Sequence, residues 1–473
     1  MQMSFKKVGL VVGPLLFSLF YFIPSITGLD SAPRAVLGVT AWVATWWITE
    51  ALPIPATSLL PIILLPLTGG ADQATATMAY GNPIVFMYMG GFTIAIAIEK
   101  WNLHRRIAMS IISILGTSSN RIILGVGLAT AFLSMWISNA ATALMMLPIA
   151  IALITEIKEK QFFNEQSMQN FSKGLLLMVA YSASIGGLAT IVGSVPNAAF
   201  VAIANSMLNQ NITFSDWFLF GIVVTTILMI VLYFYITKIK FPVKQTGEIS
   251  SDFARQQLKD LGPMSIEEKM VSIIFCLIGS LWIFGGFLPF ELSDTTISMT
   301  GAVLLFMIPS SKGGRILDWI DMKHLSWGLL LLFGGGLSLA AAFESSGLTS
   351  WFGDILSNLE QFNYLVILII LTATILFMTE IMSNTAVSNM LMPISVGLAA
   401  GIGVAPYGIM AVVALASSCA FMLPISTPPN AAVFSTNELE IKDMVKAGFW
   451  MNMVSIVVIV LAVYFLQPIL LNF

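Results

Sequence analysis

Ser138-Asn139-Ala140, within SMWISNAATALMMLPI (134–149), and Ser383-Asn384-Thr385, within TEIMSNTAVSNMLMPI (379–394), are short polar motifs in apolar surroundings, 245 residues apart. Aligned without gaps, the two windows share Ser, Asn, Ala, Met, Pro and Ile. Gly90-Gly91 recurs at the same spacing as Gly335-Gly336, and Glu99 recurs as Glu344. Downstream, GSVPNAAF (193–200) has its partner in STPPNAAV (426–433). The amides and hydroxyls of Asn139, Asn384 and Thr385 can hold a carboxylate. Unwound carbonyls beside them supply oxygen ligands for a small hard cation. Neither the motifs nor the Pro-Asn loops contain Lys or Arg, so an anion held there has no fixed positive partner. A bound metal cation would fill that gap and couple the two ligands electrostatically.

The elements that position these motifs must lie in a bilayer. Of the 473 residues 57% are hydrophobic and 10% charged, and mean hydropathy is +0.91, against roughly 25% charged for a soluble domain. There is no block of basic residues interleaved with aromatics, which leaves nucleic-acid binding without support. Cys276 and Cys419 both fall in apolar stretches and form neither a disulfide framework nor a metal cluster. A crossing helix needs about 20 apolar residues. Crossings are expected at 8–27, 35–50, 54–69, 83–101, 174–207, 214–237, 267–288, 295–310, 326–348, 405–438 and 445–469. The first follows Lys6-Lys7 and lacks a small-residue cleavage site, so it is read as a retained span. Two further stretches, 122–155 and 364–400, are too long for one span and are interrupted at the Ser-Asn motifs. They read as re-entrant hairpins.

Charge placement supports that arrangement. With the N-terminus inside and neither hairpin counted as a crossing, 20 of the 21 Lys and Arg residues fall on the cytoplasmic side, and only Arg34 falls outside. Counting each hairpin as a crossing would expel Lys158, Lys160, Lys173 and the basic 238–260 loop. Five crossings separate the hairpins, so they open on opposite faces and form an inverted repeat. The expected organisation is an N-terminal span (1–34), a first repeat (35–237), a cytoplasmic linker (238–266) and a second repeat (267–473). Segments 104–116 and 349–361 look like interfacial amphipathic helices. The chain is therefore an all-α polytopic membrane protein with eleven crossings and two hairpins, its N-terminus cytoplasmic and its C-terminus extracytoplasmic.

Broken backbone survives at membrane depth only where it lines a cavity or is buried in protein. Inverted-repeat transporters gather such breaks near the midplane, where half-helix N-termini suit an anion. A lone Ser, Asn or Thr in a membrane helix usually serves helix packing, but a symmetric set of four breaks favours a binding site. Glu380 is a functional candidate as an intramembrane carboxylate, yet its counterpart is Met135, and a structural hydrogen-bonding role stands beside the functional one. Glu99 and Glu344 sit near span ends and read as structural, and the 27 Met residues as packing filler. An enzyme is disfavoured, because His104 and His324 fall in cytoplasmic segments away from the motifs. An anion channel is the alternative of a different class.

Together, the paired SNA and SNT motifs with GSVPN and STPPN loops downstream resemble the divalent anion:sodium symporters, bacterial relatives of the mammalian dicarboxylate and citrate carriers. The resemblance covers nearly the whole chain. It implies a first sodium site from Ser134, Ser138, Asn139 and Gly193, and a second from Thr379, Ser383, Asn384 and Ser426. It also implies that Asn139, Asn384 and Thr385 grip the substrate carboxylates, with Thr427 and Pro428 shaping the wall. Members are homodimers in which a transport domain slides against a scaffold, an elevator. The family's third motif residue, Thr, is Ala140 here, which removes one hydroxyl from the substrate side. Ser194-Val195 likewise stands where the second loop has Thr427-Pro428. The implied activity is inner-membrane transport of a C4-type dicarboxylate such as succinate, malate or fumarate, coupled to sodium. A sodium-independent exchanger and a citrate or sulfate carrier are the alternatives.

Overall fold

The structure, a computed structural model, describes residues 2–24, 27–115, 118–160, 163–243, 252–287 and 292–471. Parts of the expected first crossing (25–26) and linker (244–251), and the end of the segment 104–116, lie outside the described residues. Among the described residues the regular structure is helical, with one isolated bridge between Pro309 and Arg315 and no strand.

The repeat spacing of 245 residues is kept by the helices. Leu103–Leu115 corresponds to Leu348–Leu356 with the turn that follows, Ser119–Ser134 to Tyr364–Thr379, and Asn139–Glu159 to Asn384–Gly401. The last two pairs are the arms of the hairpins, broken at 135–138 and 380–383. Ser138 caps the second arm of the first hairpin, its Oγ accepting from Ala141 N at 3.4 Å. Asn363 caps the first arm of the other hairpin, its Oδ1 accepting from Leu365 N at 2.9 Å. Pro148 and Pro393 fall at equivalent positions inside the second arms, where each removes an i→i−4 bond.

Both Pro-Asn segments are split as expected. Glu165–Gly187 and Val195–Met207 flank the first crossover loop (188–194), and Pro406–Ser417 and Pro428–Phe434 flank the second (418–427). In each case a proline near the helix start supplies a φ already suited to helix and lacks an N–H that would go unpaired there. The segment 54–69 differs from one continuous crossing. It divides into Ile54–Thr57 and Leu60–Thr68, because Pro61 cannot donate to the carbonyl of Thr57.

The core is centred on the first crossover, where every residue from Gly174 to Ser194 is buried. A short helix, Asp252–Asp260, occupies part of the linker. Arg106 fixes the chain beyond it, with Nε and Nη2 donating to the Glu268 carboxylate at 3.0 and 3.2 Å and Nη1 to Gly262 O at 3.0 Å.

Candidate functional site: two oxygen clusters at the hairpin tips

Ser134 ends the first arm of the first hairpin, Ser119–Ser134, and is wholly buried. Its Oγ donates to Ala183 O at 2.6 Å and lies 2.8 Å from the Asn139 amide. That amide also lies 3.0 Å from both Gly193 O and Ala183 O. Turned nitrogen-first, it donates to these oxygens. Turned oxygen-first, it takes the Ser134 hydroxyl and joins Ala183 O and Gly193 O in a set of oxygens suited to a cation. The approach requires glycine. A Cβ on Gly187 would collide with the Asn139 amide oxygen and stand 2.8 Å from Gly193 O, and one on Gly193 would stand 2.7 Å from Gly187 O and 2.8 Å from Ser134 O.

The loop is wound by its own side chains. Asn197 Nδ2, with two hydrogens, lies among Gly187 O, Leu188 O and Thr190 O at 3.0, 3.2 and 2.8 Å and ties the loop through them. Thr190 Oγ1 donates to Met135 O at the hairpin tip and accepts from Gly193 N at 2.9 Å.

The second half repeats this construction. Thr379 Oγ1 lies 2.7 Å from Asn384 Oδ1 and 2.8 Å from Ser417 O, its one hydrogen shared between them. Asn430 Nδ2 donates to Ala420 O, Leu423 O and Ser426 Oγ at 3.2, 3.1 and 3.0 Å. Thr427 caps the following helix, its Oγ1 accepting from Asn430 N at 3.3 Å. The two loops touch, with Ser194 Oγ and Ser418 Oγ 2.7 Å apart.

Among the residues expected in the site, the structure joins Ser134, Asn139 and Gly193 in one cluster and Thr379 with Asn384 in the other. Ser426 is tied to its own loop through Asn430 and Leu423 O. Ser138 serves as a helix cap. Ser383, Ala140 and Thr385 are half-buried at the tips, and Pro428 is exposed at the start of its helix. Asn139 and Asn384 each open a long helix, whose first N–H groups and partial positive charge suit a carboxylate.

Glu380 resolves into a structural group. Its carboxylate accepts from Phe421 N, Met422 N and Leu423 N at 2.8, 2.9 and 3.1 Å, and from Asn452 Nδ2 at 2.7 Å. Four donors saturate it, and it binds the second hairpin tip to the second crossover loop. Sequence reasoning passed over the clamps Asn197 and Asn430, although the doubled Pro-Asn pair carried the signal. It also passed over Tyr88, whose Oη donates to Ile191 O and, at 2.9 Å, to Ser194 O. Nothing in the local sequence marks that tyrosine.

The surroundings of the hairpins differ. A cavity of about 580 Å³ separates the first hairpin's second arm (Ala141, Leu144, Pro148) from Arg105 and the linker helix residue Gln257. The equivalent arm of the second hairpin is sealed. A Cβ on Gly397 would lie 2.7 Å from Thr349 O and 3.1 Å from Phe352 Cβ, and one on Gly401 would lie 3.0 Å from Gly353 Cα.

A helical membrane transporter is the class that this fold and this pair of tips define. A family model described as the sodium:sulfate symporter transmembrane region matches residues 5–472, and the chain belongs to that family. It is a transporter and not an enzyme. It is 44% identical to the sodium-dependent dicarboxylate transporter SdcS of Staphylococcus saprophyticus, over 98% of this chain and 92% of that protein. It is 42% identical to the protein of the same name from Staphylococcus aureus, over 99% and 92%. The fold is similar to that of the YdaH transporter of Alcanivorax borkumensis, with a TM-score of 0.58 over 91% of this chain and 98% of the other, at 12% identity. It is also similar to MtrF of Neisseria gonorrhoeae, an antimetabolite efflux pump, with a TM-score of 0.53 over 84% of each chain at 11% identity.

Proposed function

We propose that the chain is a sodium-coupled symporter of C4-type dicarboxylates, with succinate, malate and fumarate as substrates. The observation that carries this is the Asn139 amide, set among Ser134 Oγ, Ala183 O and Gly193 O with no Lys or Arg in the motifs. Such a neutral oxygen cluster suits a small monovalent cation, and the cation supplies the charge that a dianion needs beside two helix N-termini. Ser134, Ser138, Asn139 and Gly193 hold one sodium ion; Thr379, Ser383, Asn384 and Ser426 hold the other. Asn139, Ala140, Asn384, Thr385, Thr427 and Pro428 meet the substrate. The sodium named in both the family description and the SdcS relatives supports this coupling.

Transport follows an elevator movement in an inner-membrane homodimer of eleven-span subunits, N-terminus inside. Its support is the unequal packing of equivalent arms. In the second half a Cβ on Gly397 would stand 3.1 Å from Phe352 Cβ, whereas in the first the counterpart of Gly397, Ala152, lines the open cavity, and the counterpart of Phe352, Ile107, lies on the neighbouring helix Leu103–Leu115. Exchange of these contacts closes one side as it opens the other. An Ile107→Cys/Ala152→Cys pair, in a background with Cys276→Ser and Cys419→Ser, is expected to cross-link only in the opposite state. Absence of any cross-link during turnover would sink the elevator.

The coupling is tested by uptake of labelled succinate into proteoliposomes. Concentrative uptake into empty vesicles under an inward sodium gradient, absent with potassium, is expected. Uptake that requires internal dicarboxylate and ignores sodium would make the protein an exchanger and end the sodium assignments.

A further inference from the structure

An apolar groove of about 530 Å³ runs along the outside of the first hairpin. Leu124, Leu128, Phe132 and Met135 of the first arm and tip form one wall, at helical spacing, and Met229 and Phe234 of the helix Phe214–Phe234 form the other. The groove opens sideways, since Leu128, Ile230 and Phe234 are 38%, 53% and 53% exposed. Its two threonines are already occupied. Thr225 Oγ1 donates to Ile185 O at 3.2 Å and Thr226 Oγ1 to Ile222 O at 2.7 Å, so they offer no free donor to a polar ligand.

The length and the ends of the groove define the occupant. From Leu124 to Met135 the helical rise is about 16 Å, which is one leaflet of a hydrocarbon core roughly 30 Å thick. One turn before Leu124 stands Arg121, and one turn beyond Phe234 stands Lys238. Both are exposed, and neither has a carboxylate partner among the described residues. The Tyr233 side chain lines the same end. We propose that this groove binds an anionic phospholipid, its acyl chain lying along the first hairpin and its phosphate between Arg121 and Lys238. Two basic groups at the mouth of a one-leaflet groove match a negatively charged headgroup, and the cytoplasmic leaflet is where anionic lipid concentrates.

The inner end of the chain would rest on Met135, whose carbonyl takes the Thr190 hydroxyl, so the lipid supports the backbone that holds the first oxygen cluster. This effect on transport rests on the site proposed above and the choice of leaflet on the proposed orientation, whereas the binding itself rests on the groove and its two basic residues.

The test is native mass spectrometry of the detergent-solubilised full chain, offered phosphatidylglycerol or phosphatidylcholine, with uptake measured in vesicles with and without phosphatidylglycerol. Wild type is expected to retain phosphatidylglycerol selectively. Arg121→Gln/Lys238→Gln is expected to bind it about 25-fold more weakly, at roughly fivefold for each basic residue lost. Leu128→Trp, which fills the groove, should lose it too. Equal retention of the two lipids, or undiminished retention by the surface double variant, would overturn the proposal. A wild type that retains phosphatidylglycerol but shows no sodium-driven uptake would instead count against the transport reading alone.

Discussion

Tyr88 and Phe333 stand 245 residues apart at equivalent positions of the two repeats, and their rings meet at 4.8 Å. Only Tyr88 carries a hydroxyl, and it donates to Ser194 O at 2.9 Å and to Ile191 O. These two carbonyls bracket Gly193, so helix Pro83–Lys100 holds the loop that forms the first oxygen cluster. No such bond can exist at Phe333.

Tyr88→Phe removes the one hydroxyl hydrogen that the carbonyls of Ile191 and Ser194 share, at about 1–3 kcal/mol. Half-maximal sodium for uptake is expected to rise several-fold, while Phe333→Leu, which changes packing alone, leaves it near wild type. Sodium titration of proteoliposome uptake compares them. An unchanged sodium dependence in Tyr88→Phe would remove the tyrosine from the site's support.

A Cβ on Gly187 would run into the Asn139 amide and Gly193 O of the cluster, and one on Gly193 into the backbone oxygens of Gly187 and Ser134 beside it. Either Gly→Ala change should therefore abolish sodium-driven uptake. Sodium-dependent thermal stabilisation of the purified protein checks this independently of transport, and its survival in Gly193→Ala would place the cation elsewhere.

Glu380 answers the N–H groups of residues 421–423. In the first loop, Leu188 N and Ala189 N are met instead by Ile185 O and Gly186 O, both at 3.1 Å, and Met135 suffices. Replacing a saturated buried carboxylate leaves those donors unpaired. Glu380→Gln should cost roughly 3 kcal/mol, read as a lowered unfolding temperature in detergent. Glu380→Met, which copies the first half, should be at least as damaging.

Asp294 lies just ahead of the expected crossing 295–310. Burial raises its pKa to about 6 and the nearby Asp216 adds to this, against the opposing bond from Phe214 N at 2.7 Å. A folded value above the unfolded 3.8 means that folding disfavours the ionised form. The penalty is full above about pH 6 and fades as pH falls toward the unfolded value. Asp294→Asn should thus be the more stable protein near pH 7.5, by on the order of 2 kcal/mol, with the gap closing near pH 4. Thermal unfolding across that range measures it, and a gap independent of pH would refute the cause.

Ala140 sits half-buried in the first turn of Asn139–Glu159, on the tip that meets substrate in the proposed site. Ala140→Thr adds a hydroxyl there and should tighten apparent dicarboxylate affinity in uptake competition. Unchanged or weaker affinity would mean that the position faces away from substrate.

The repeat, the hairpins and the helix breaks could be read in the sequence because a bilayer permits few other uses for them. Ser138-Asn139 and Ser383-Asn384 interrupt apolar runs too long for one span, and a broken backbone in lipid must be enclosed or line a cavity. Periodicity and charge are local, so they carried that much. The destinations of single side chains are not local. Glu380 reaches residues 41 to 72 positions away, and Tyr88 reaches a loop 103 positions on. Whether a buried carboxylate is free or saturated depends on donors delivered by other helices. The same holds for the open first hairpin and the sealed second one. The glycines that let the second arm seal, Gly397 and Gly401, stand where the first has Ala152 and Glu156, but which helix each arm packs against is decided only by the tertiary arrangement.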